Sequence, residues 1–466
     1  MATAMPAASS WALACLASAM LLSSLGTSIA NVALPTFVTA FDTSFNAVQW
    51  IVLAYLLAVT TLVVSVGRLG DLFGRRRLMM AGIALFTLAS LASGVSSELW
   101  MLIASRAAQG FGAAVMTALA MALVGDSVPK ARAGRAMGFL GTMSAVGTAL
   151  GPSLGGGLIA SLGWPSIFLV NVPLGLLTLV LAHRFLPPDP PRGSRPSFDV
   201  LGSALLALTL AAYALAMTLN RGSFGAINVM LLCVALSGAG LFVVVESRVY
   251  APLVRPALFL ERTVGAGFIL SGLVTTVAMT TLVVGPFYLS GALGLNPAAV
   301  GLVMTMGPLV AALVGVPAGR GVDRYGARCV MIAGLVSMTV GCVALAALPV
   351  ASGVIGYLLP LVATTGGFAI FQAANNTAVV TGIDASQRGV VSGLLNLSRN
   401  LGLITGASAM GAIFAAGTGA LDIARADVAA IASGTHTAFA VAALLTGMAL
   451  VLAIGVAKSA SPHPSA

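Results

Sequence analysis

Apolar runs long enough to cross a lipid bilayer recur along the whole chain, and they restrict its fold more than any other feature. Fourteen of them fall near residues 11–34, 48–67, 78–95, 99–123, 136–160, 165–183, 199–219, 226–245, 264–289, 298–318, 329–350, 354–379, 388–415 and 435–457. A run of this length spans the hydrocarbon layer as an α-helix, in which every backbone N–H and C=O finds a partner without water. Fourteen spans consume about 280 residues, which leaves only short connections and no separate soluble domain in a chain of 466. Charged residues make up 7% of the chain, against about 25% in a typical water-soluble protein. The expected fold class is an all-α integral membrane protein whose first partner is the lipid bilayer.

The net charge of +10 would suit a nucleic-acid binder if the basic residues formed one patch. They form short clusters between the runs instead. Alternate connections hold Arg68, Arg75, Arg76, Arg77, Lys130, Arg132, Arg135, Arg184, Arg192, Arg195, Arg248, Arg255, Arg262, Arg320, Arg324, Arg328, Arg388 and Lys458, whereas the opposite side holds only Arg221 and Arg425. The positive-inside rule puts the basic side, and with it both termini, in the cytoplasm. An even number of spans is then required, and a multi-pass protein of the cell (inner) membrane is expected, with no nucleic-acid partner. Met1–Ser10 contains no Lys or Arg, so the first run reads as a retained helix and not a cleaved signal. Cys15, Cys233, Cys329 and Cys342 lie in or beside apolar runs without CxxC spacing, and His183, His436 and His463 lie at helix ends or in the tail. That pattern argues against disulfides, a metal site, a cofactor or a catalytic centre.

An internal repeat follows. GRLGDLFGRR (67–76) recurs as GRGVDRYGAR (319–328), with Gly, Arg, Asp, an aromatic, Gly and Arg in register at an offset of 252. The offset covers eight spans; if the repeated unit has six, two are additional. The seventh and eighth are the candidates, flanked by PPDPPRGSRPSFD and ESRVYAPLVRPALFLERT and nearly devoid of polar side chains. The expected organisation is a six-helix bundle over 1–184, a linker with two extra spans over 185–262, a second six-helix bundle over 263–458 and a cytoplasmic tail over 459–466.

With these strings in view, the chain resembles the major facilitator superfamily, and within it the fourteen-helix drug:proton antiporter family. The resemblance covers nearly the whole chain. It rests on Gly67, Asp71, Gly74, Arg75 and Arg76 in the first copy of the repeat, on Arg106, Gln109, Gly110 and Gly112 in the fourth span, and on Gly147, Gly151, Pro152, Gly155 and Gly156 in the fifth. LGWPSIFLVNVPLG and SGLLNLSRNLG, entering the sixth and lying in the thirteenth span, resemble stretches typical of the fourteen-helix subgroup. The resemblance implies two six-helix bundles rocking about a central small-molecule site, proton coupling, action as a monomer, and a cavity lined by spans 1, 4, 9 and 12. It also implies that the fifth span packs on the tenth.

Each motif has its own physical reading. Glycines at 67 and 74 allow tight turning of the short loop between the second and third spans, in which Asp71 opposite Arg75, Arg76 and Arg77 can form a charge-assisted latch between helix ends, with Asp323, Arg324 and Arg328 as its counterparts; a purely topological anchor is the plainer account. Glycines at 147, 151 and 155 share one helical face and admit a neighbouring helix closely, while Pro152 adds a bend. A charged residue inside a membrane helix is a candidate functional site, which singles out Arg106, beside Gln109, and Arg399, which shares a face with Asn396. A structural arginine bonded to carbonyl groups is the alternative for both. Thr27, Ser28 and Asn31 in the first span and Gln372, Asn375 and Asn376 in the twelfth are pathway candidates, or else interhelical hydrogen-bond glue. Tyr55, Phe287 and Tyr288 offer an apolar wall for substrate or ordinary core packing.

One departure from the family pattern bears on coupling. All twelve acidic residues fall in connections or at span ends, and Gly26 stands where many relatives carry an aspartate, five positions before the Asn of NVALP. A buried acid that changes protonation between two access states is therefore missing from the middle of the spans, leaving Asp71, Asp126 or water at Arg106. The functional expectation is export of a small organic molecule or drug by proton antiport. The alternative is an importer or facilitator of a neutral or anionic metabolite such as a vitamin. No nucleotide-binding loop or nucleophile–base pair supports an enzyme or receptor.

Overall fold

The computed structural model describes residues 7–127, 133–189, 200–218, 225–247, 261–381, 388–419 and 426–459. Among them every regular element is helical. The chain runs through α1 (Ala7–Val32), α2 (Leu34–Ala40), α3 (Phe45–Phe73), α4 (Arg75–Gly94), α5 (Leu99–Ser127), α6 (Ala133–Leu162), α7 (Ser166–Leu169), α8 (Asn171–Phe185), α9 (Val200–Thr218) and α10 (Ala226–Glu246). It continues through α11 (Arg262–Phe287), α12 (Pro297–Tyr325), α13 (Ala327–Ala346), α14 (Gly353–Thr381), α15 (Arg388–Thr405), α16 (Gly411–Thr418) and α17 (Val428–Ser459). Two wide π-helical turns, Tyr288–Ala292 and Gly406–Met410, extend α11 and join α15 to α16.

Thirteen helices among the described residues are long and apolar enough to cross a membrane, and a shorter apolar stretch, Ala204–Met217, coincides with the seventh expected span. This is a multi-span membrane protein. Start and stop positions follow local chemistry. Asn296 Oδ1 accepts from Ala299 N at 2.9 Å and opens α12, and Asp427 Oδ1 accepts from Ala430 N at 2.7 Å and opens α17, each satisfying a helix-start N–H.

The helices form two compact units. The first is built on α1–α8 without Ser44–Asn46, on part of α9 and on the opening turns of α12 (Asn296–Thr305); the second takes Ser44–Asn46 and the remaining helices. In the first, α1 packs on α5, α6 and α8, and α4 on α5 and α8. In the second, α13 lies between α14 and α17, and α11 between α15 and α17. Lipid tails are as apolar as leucine, so helices associate here through close packing and hydrogen bonds and not through water exclusion. Gly82 on α4 and its counterpart Gly334 on α13, 252 residues later, each turn toward the partner helix, where a Cβ would strike Val115 in one unit and the Phe371 backbone in the other. Outward surfaces are correspondingly greasy: on α10, Met230 is 65% and Leu236 71% exposed.

The repeated motif adopts the same backbone twice. Gly74 (φ +94°) and Gly326 (φ +82°) each separate two helices. Gly74 N and Gly326 N close the preceding helix onto Gly70 O and Val322 O at 2.9 Å, while Leu78 N and Val330 N open the next onto the glycine oxygens. Gly67 does not serve a turn and Asp71 is not in a loop, because α3 remains helical to Phe73. The whole reversal is made at one residue whose positive φ only glycine adopts without strain.

Candidate functional site: two arginines within the helix bundles

In the first unit, α5 carries Arg106 into a fully enclosed position at 0% exposure. Its Nε donates to Ile51 O of α3 at 3.1 Å and its Nη1 to Gln109 Oε1, one turn along. Gln109 Nε2 in turn donates to Ser90 Oγ of α4 at 2.7 Å, and Ser90 Oγ donates to Phe86 O at 2.7 Å. The guanidinium carbon lies 4.3 Å above the Tyr55 ring and 5.8 Å from the Phe168 ring. Tyr55 Oη donates at 2.8 Å to Ser23 O of α1, which also accepts from Thr27 Oγ1 at 3.0 Å. One side chain thus gathers α1, α3, α4 and α5. The partners described for Arg106 are neutral, and its Nη2 has no acceptor. Among the described residues this buried cation is held by dipoles and ring faces with no carboxylate against it, so its positive field is kept for whatever approaches it.

Of the first-span candidates, Thr27 joins this cluster. Ser28 faces α6, within 3.4 Å of Gly147 O, and Asn31 donates to Thr27 O at 3.2 Å with its buried Oδ1 unpartnered. Gly26 leaves little room for an acid. A Cβ there would lie 3.1 Å from the Phe86 ring and 3.4 Å from the Tyr55 hydroxyl, so the aromatic groups fill the space that a carboxylate would need.

The second unit presents a comparable arrangement. Arg399 on α15 donates through Nη2 to Asn396 Oδ1, and the Gln372 carboxamide of α14, with its oxygen toward the guanidinium, accepts from Nη1 and, at 3.3 Å, from Nε. Three residues singled out by sequence are therefore in one cluster. Asn375 is not part of it: its amide donates to Gly267 O of α11 at 3.1 Å, and its buried Oδ1 has no partner among the described residues. Phe287 packs edge-on against Phe45, 4.7 Å between centroids, and Tyr288 stacks on Tyr357 at 5.5 Å.

The fifth-span glycines meet a different neighbour from the expected one. A Cβ on Gly147, Gly151 or Gly155 would strike Leu21 O, Ser28 or Val32 and Ile29, so this face lies flat on α1. The contact with the tenth span belongs to Gly156, whose Cβ would meet Pro297 O and Gly301 Cα, and to Pro152, whose carbonyl faces Gly301. A four-residue spacing identifies a close-packed face but says nothing of its partner.

At the repeated turns, Arg75 and Arg76 are partly buried, and Arg77, Asp323, Arg324 and Arg328 are exposed. The side chains of Asp71 and Asp126 lie outside the described residues, so the Asp71 latch has no geometry to report. The carboxylate that does meet this turn is Asp189, which sequence reading left as an ordinary linker acid. Ser23 and Ser90 were also missed. Small hydroxyls are common in membrane helices, and nothing in sequence distinguishes the ones that bind an arginine network.

Comparison with known proteins bears on the whole arrangement. The family profile of the Major Facilitator Superfamily matches residues 16–406 and 264–466. The chain is 34% identical over 408 residues to the drug efflux pump JefA of Mycobacterium tuberculosis, covering 84% of this chain and 78% of that protein. It is 30% identical over 394 residues to the riboflavin transporter RibZ of Clostridioides difficile, covering 84% and 86%. Among solved structures, a bacterial homologue of the human lysosomal transporter Spinster, inward-facing and unoccupied, aligns over 98% of both chains with a TM-score of 0.71 at 15% identity. That likeness concerns the fold.

Proposed function

Since this chain belongs to the Major Facilitator Superfamily and is a membrane transporter, not an enzyme, we propose that it exports a small organic molecule or drug by alternating access coupled to proton antiport. The reading includes the fourteen-helix subgroup, a cell (inner) membrane location with both termini cytoplasmic, and action as a monomer. It also keeps the two six-helix bundles, 1–184 and 263–458, with two extra spans in the linker 185–262. The observation that carries it is the packing of α6. Its Gly147–Gly155 face lies directly on α1 and its Gly156 on the start of α12, which gives the fifth-span glycine motif two glycine-smooth surfaces on which helices can shift. Arg106 with Gln109 and Thr27, and Arg399 with Gln372 and Asn396, are the polar groups assigned to substrate or coupling. Their cationic character favours neutral, zwitterionic or anionic substrates over lipophilic cations. Proton transfer is assigned to Asp71, Asp126 or water at Arg106, because aromatic rings crowd the Gly26 position.

A second reading, import or facilitated passage of a neutral or anionic metabolite such as a vitamin, is favoured by the similarity to a riboflavin transporter. Inside-out and right-side-out vesicles, given riboflavin and a panel of antibiotics under an imposed pH gradient, separate the two. Gradient-driven uptake confined to inside-out vesicles supports export. Equal, gradient-independent exchange in both orientations supports the facilitator and refutes antiport.

A further inference from the structure

We infer that Asp189 is a positioning residue for the Gly74 turn, acting through the backbone amides of α4; the inference rests on reading that turn as part of the gate. Asp189 lies four residues beyond α8 and is partly buried. Its Oδ1 accepts from Arg76 N at 2.8 Å and its Oδ2 from Arg77 N at 3.2 Å. The first N–H groups of a helix have no partner within the helix and sit at the positive end of its dipole. An N-cap side chain ordinarily meets them, but the residue in that place is Gly74, which makes no side-chain cap. The cap therefore arrives from the far end of another helix.

Gly74 and Asp189 require each other. A Cβ at residue 74 would overlap the Asp189 carboxyl group, so glycine serves the positive φ and also clears the space the carboxylate occupies. The connection runs both ways, because the Arg76 guanidinium donates to His183 O in the last turn of α8. The C-terminal end of α8 and the start of α4 are thus clasped, and the chain leaves this clasp directly into the linker. The second copy of the turn is built differently. At Gly326 an added Cβ would meet nothing within 4 Å, so among the described residues the carboxylate that crowds the turn is found at the first copy.

The test compares Asp189→Ala, Asp189→Asn and Arg76→Ala with wild type in lipid nanodiscs by hydrogen–deuterium exchange, reading peptides across 74–80 and 326–332. Loss of a charge-assisted acceptor is expected to speed exchange at the Arg76 and Arg77 amides about tenfold in Asp189→Ala. Asp189→Asn, which keeps one carbonyl acceptor, should fall between. The 326–332 amides and the α1 and α6 cores should be unchanged, which a general loosening of the fold would not allow. Arg76→Ala should leave the Arg77 amide protected, because the carboxylate binds backbone. Unchanged exchange in Asp189→Ala, or equal acceleration by Arg76→Ala, overturns the inference. In the vesicle assay, with riboflavin or whichever panel compound wild type carries, Asp189→Ala should lower maximal rate severalfold and leave KM unaltered. A raised KM with unaltered rate would refute a positioning role. The gate reading fails separately: if wild type moves no panel compound under a gradient, the exchange result still decides the clasp.

Discussion

Replacing Arg106 separates a transport role from a structural one, provided the energies are compared first. The guanidinium makes two described hydrogen bonds, to Ile51 O and Gln109 Oε1, and a 4.3 Å contact with the Tyr55 ring. Hydrogen bonds to a charged group contribute about 1.5–3 kcal/mol each and a desolvated cation–π contact about 2, so roughly 5–8 kcal/mol of attraction is lost on truncation. Enclosing the cation costs several kcal/mol, and that term disappears with it. The net change in folding free energy is therefore expected to be about 3 kcal/mol or less for Arg106→Ala, and smaller for Arg106→Met, which keeps most of the volume. Both variants should insert and purify with an unfolding temperature lowered by no more than about ten degrees, at roughly 2–4 °C per kcal/mol. Both should fail to transport in inside-out vesicles. Arg106→Met with wild-type uptake would show that the residue serves packing alone and remove it from the mechanism.

Other outcomes follow from the packing. Gly156→Leu should insert normally and lose transport, since its side chain would be driven into Pro297 and Gly301 at the start of α12, an overpacking cost of about 1–3 kcal/mol readable by thermal unfolding beside uptake. Gly74→Ala should destabilise more than Gly326→Ala in the same unfolding assay: both carry positive φ, but only residue 74 also meets Asp189. Tyr357→Phe should stabilise the protein by about 1 kcal/mol or more in thermal unfolding, because the hydroxyl it removes is buried with no hydrogen-bond partner among the described residues, a state that costs about 1–3 kcal/mol. Gln372→Leu and Arg399→Met, made singly and together, should show a coupling of about 0.5–2 kcal/mol in a double-mutant cycle on stability; strict additivity would break the proposed cluster.

Much of the helical frame was readable in the chain itself. A run of about 20 apolar residues has one stable form in lipid, and accordingly 99–123 became Leu99–Ser127 and 226–245 became Ala226–Glu246. Arg106 with Gln109, and Arg399 with Asn396, were legible because a three-residue spacing puts two side chains on one helical face. What crosses between helices was not. The glycines of α6 announced a close neighbour without telling α1 from α12, and Gln372 and Asn375, three residues apart on α14, turned out to bond α15 and α11 respectively. Asp189 reaches an amide 113 positions away, a pairing with no periodicity to betray it. Charge and glycine at 67–71 read as a turn in the sequence, but α3 stays helical to Phe73, because a helix end tolerates both.

The two wide turns at Tyr288–Ala292 and Gly406–Met410 have a mechanical meaning. Each stores a surplus residue relative to regular α-helix, and relaxing it to ordinary winding swings everything downstream by about 100° about the axis. In the thirteenth span such a swing would leave Arg399 and Asn396 where they are and re-aim Gly411–Thr418 beyond them. One end of a single rod can then be re-faced while its charged middle stays anchored.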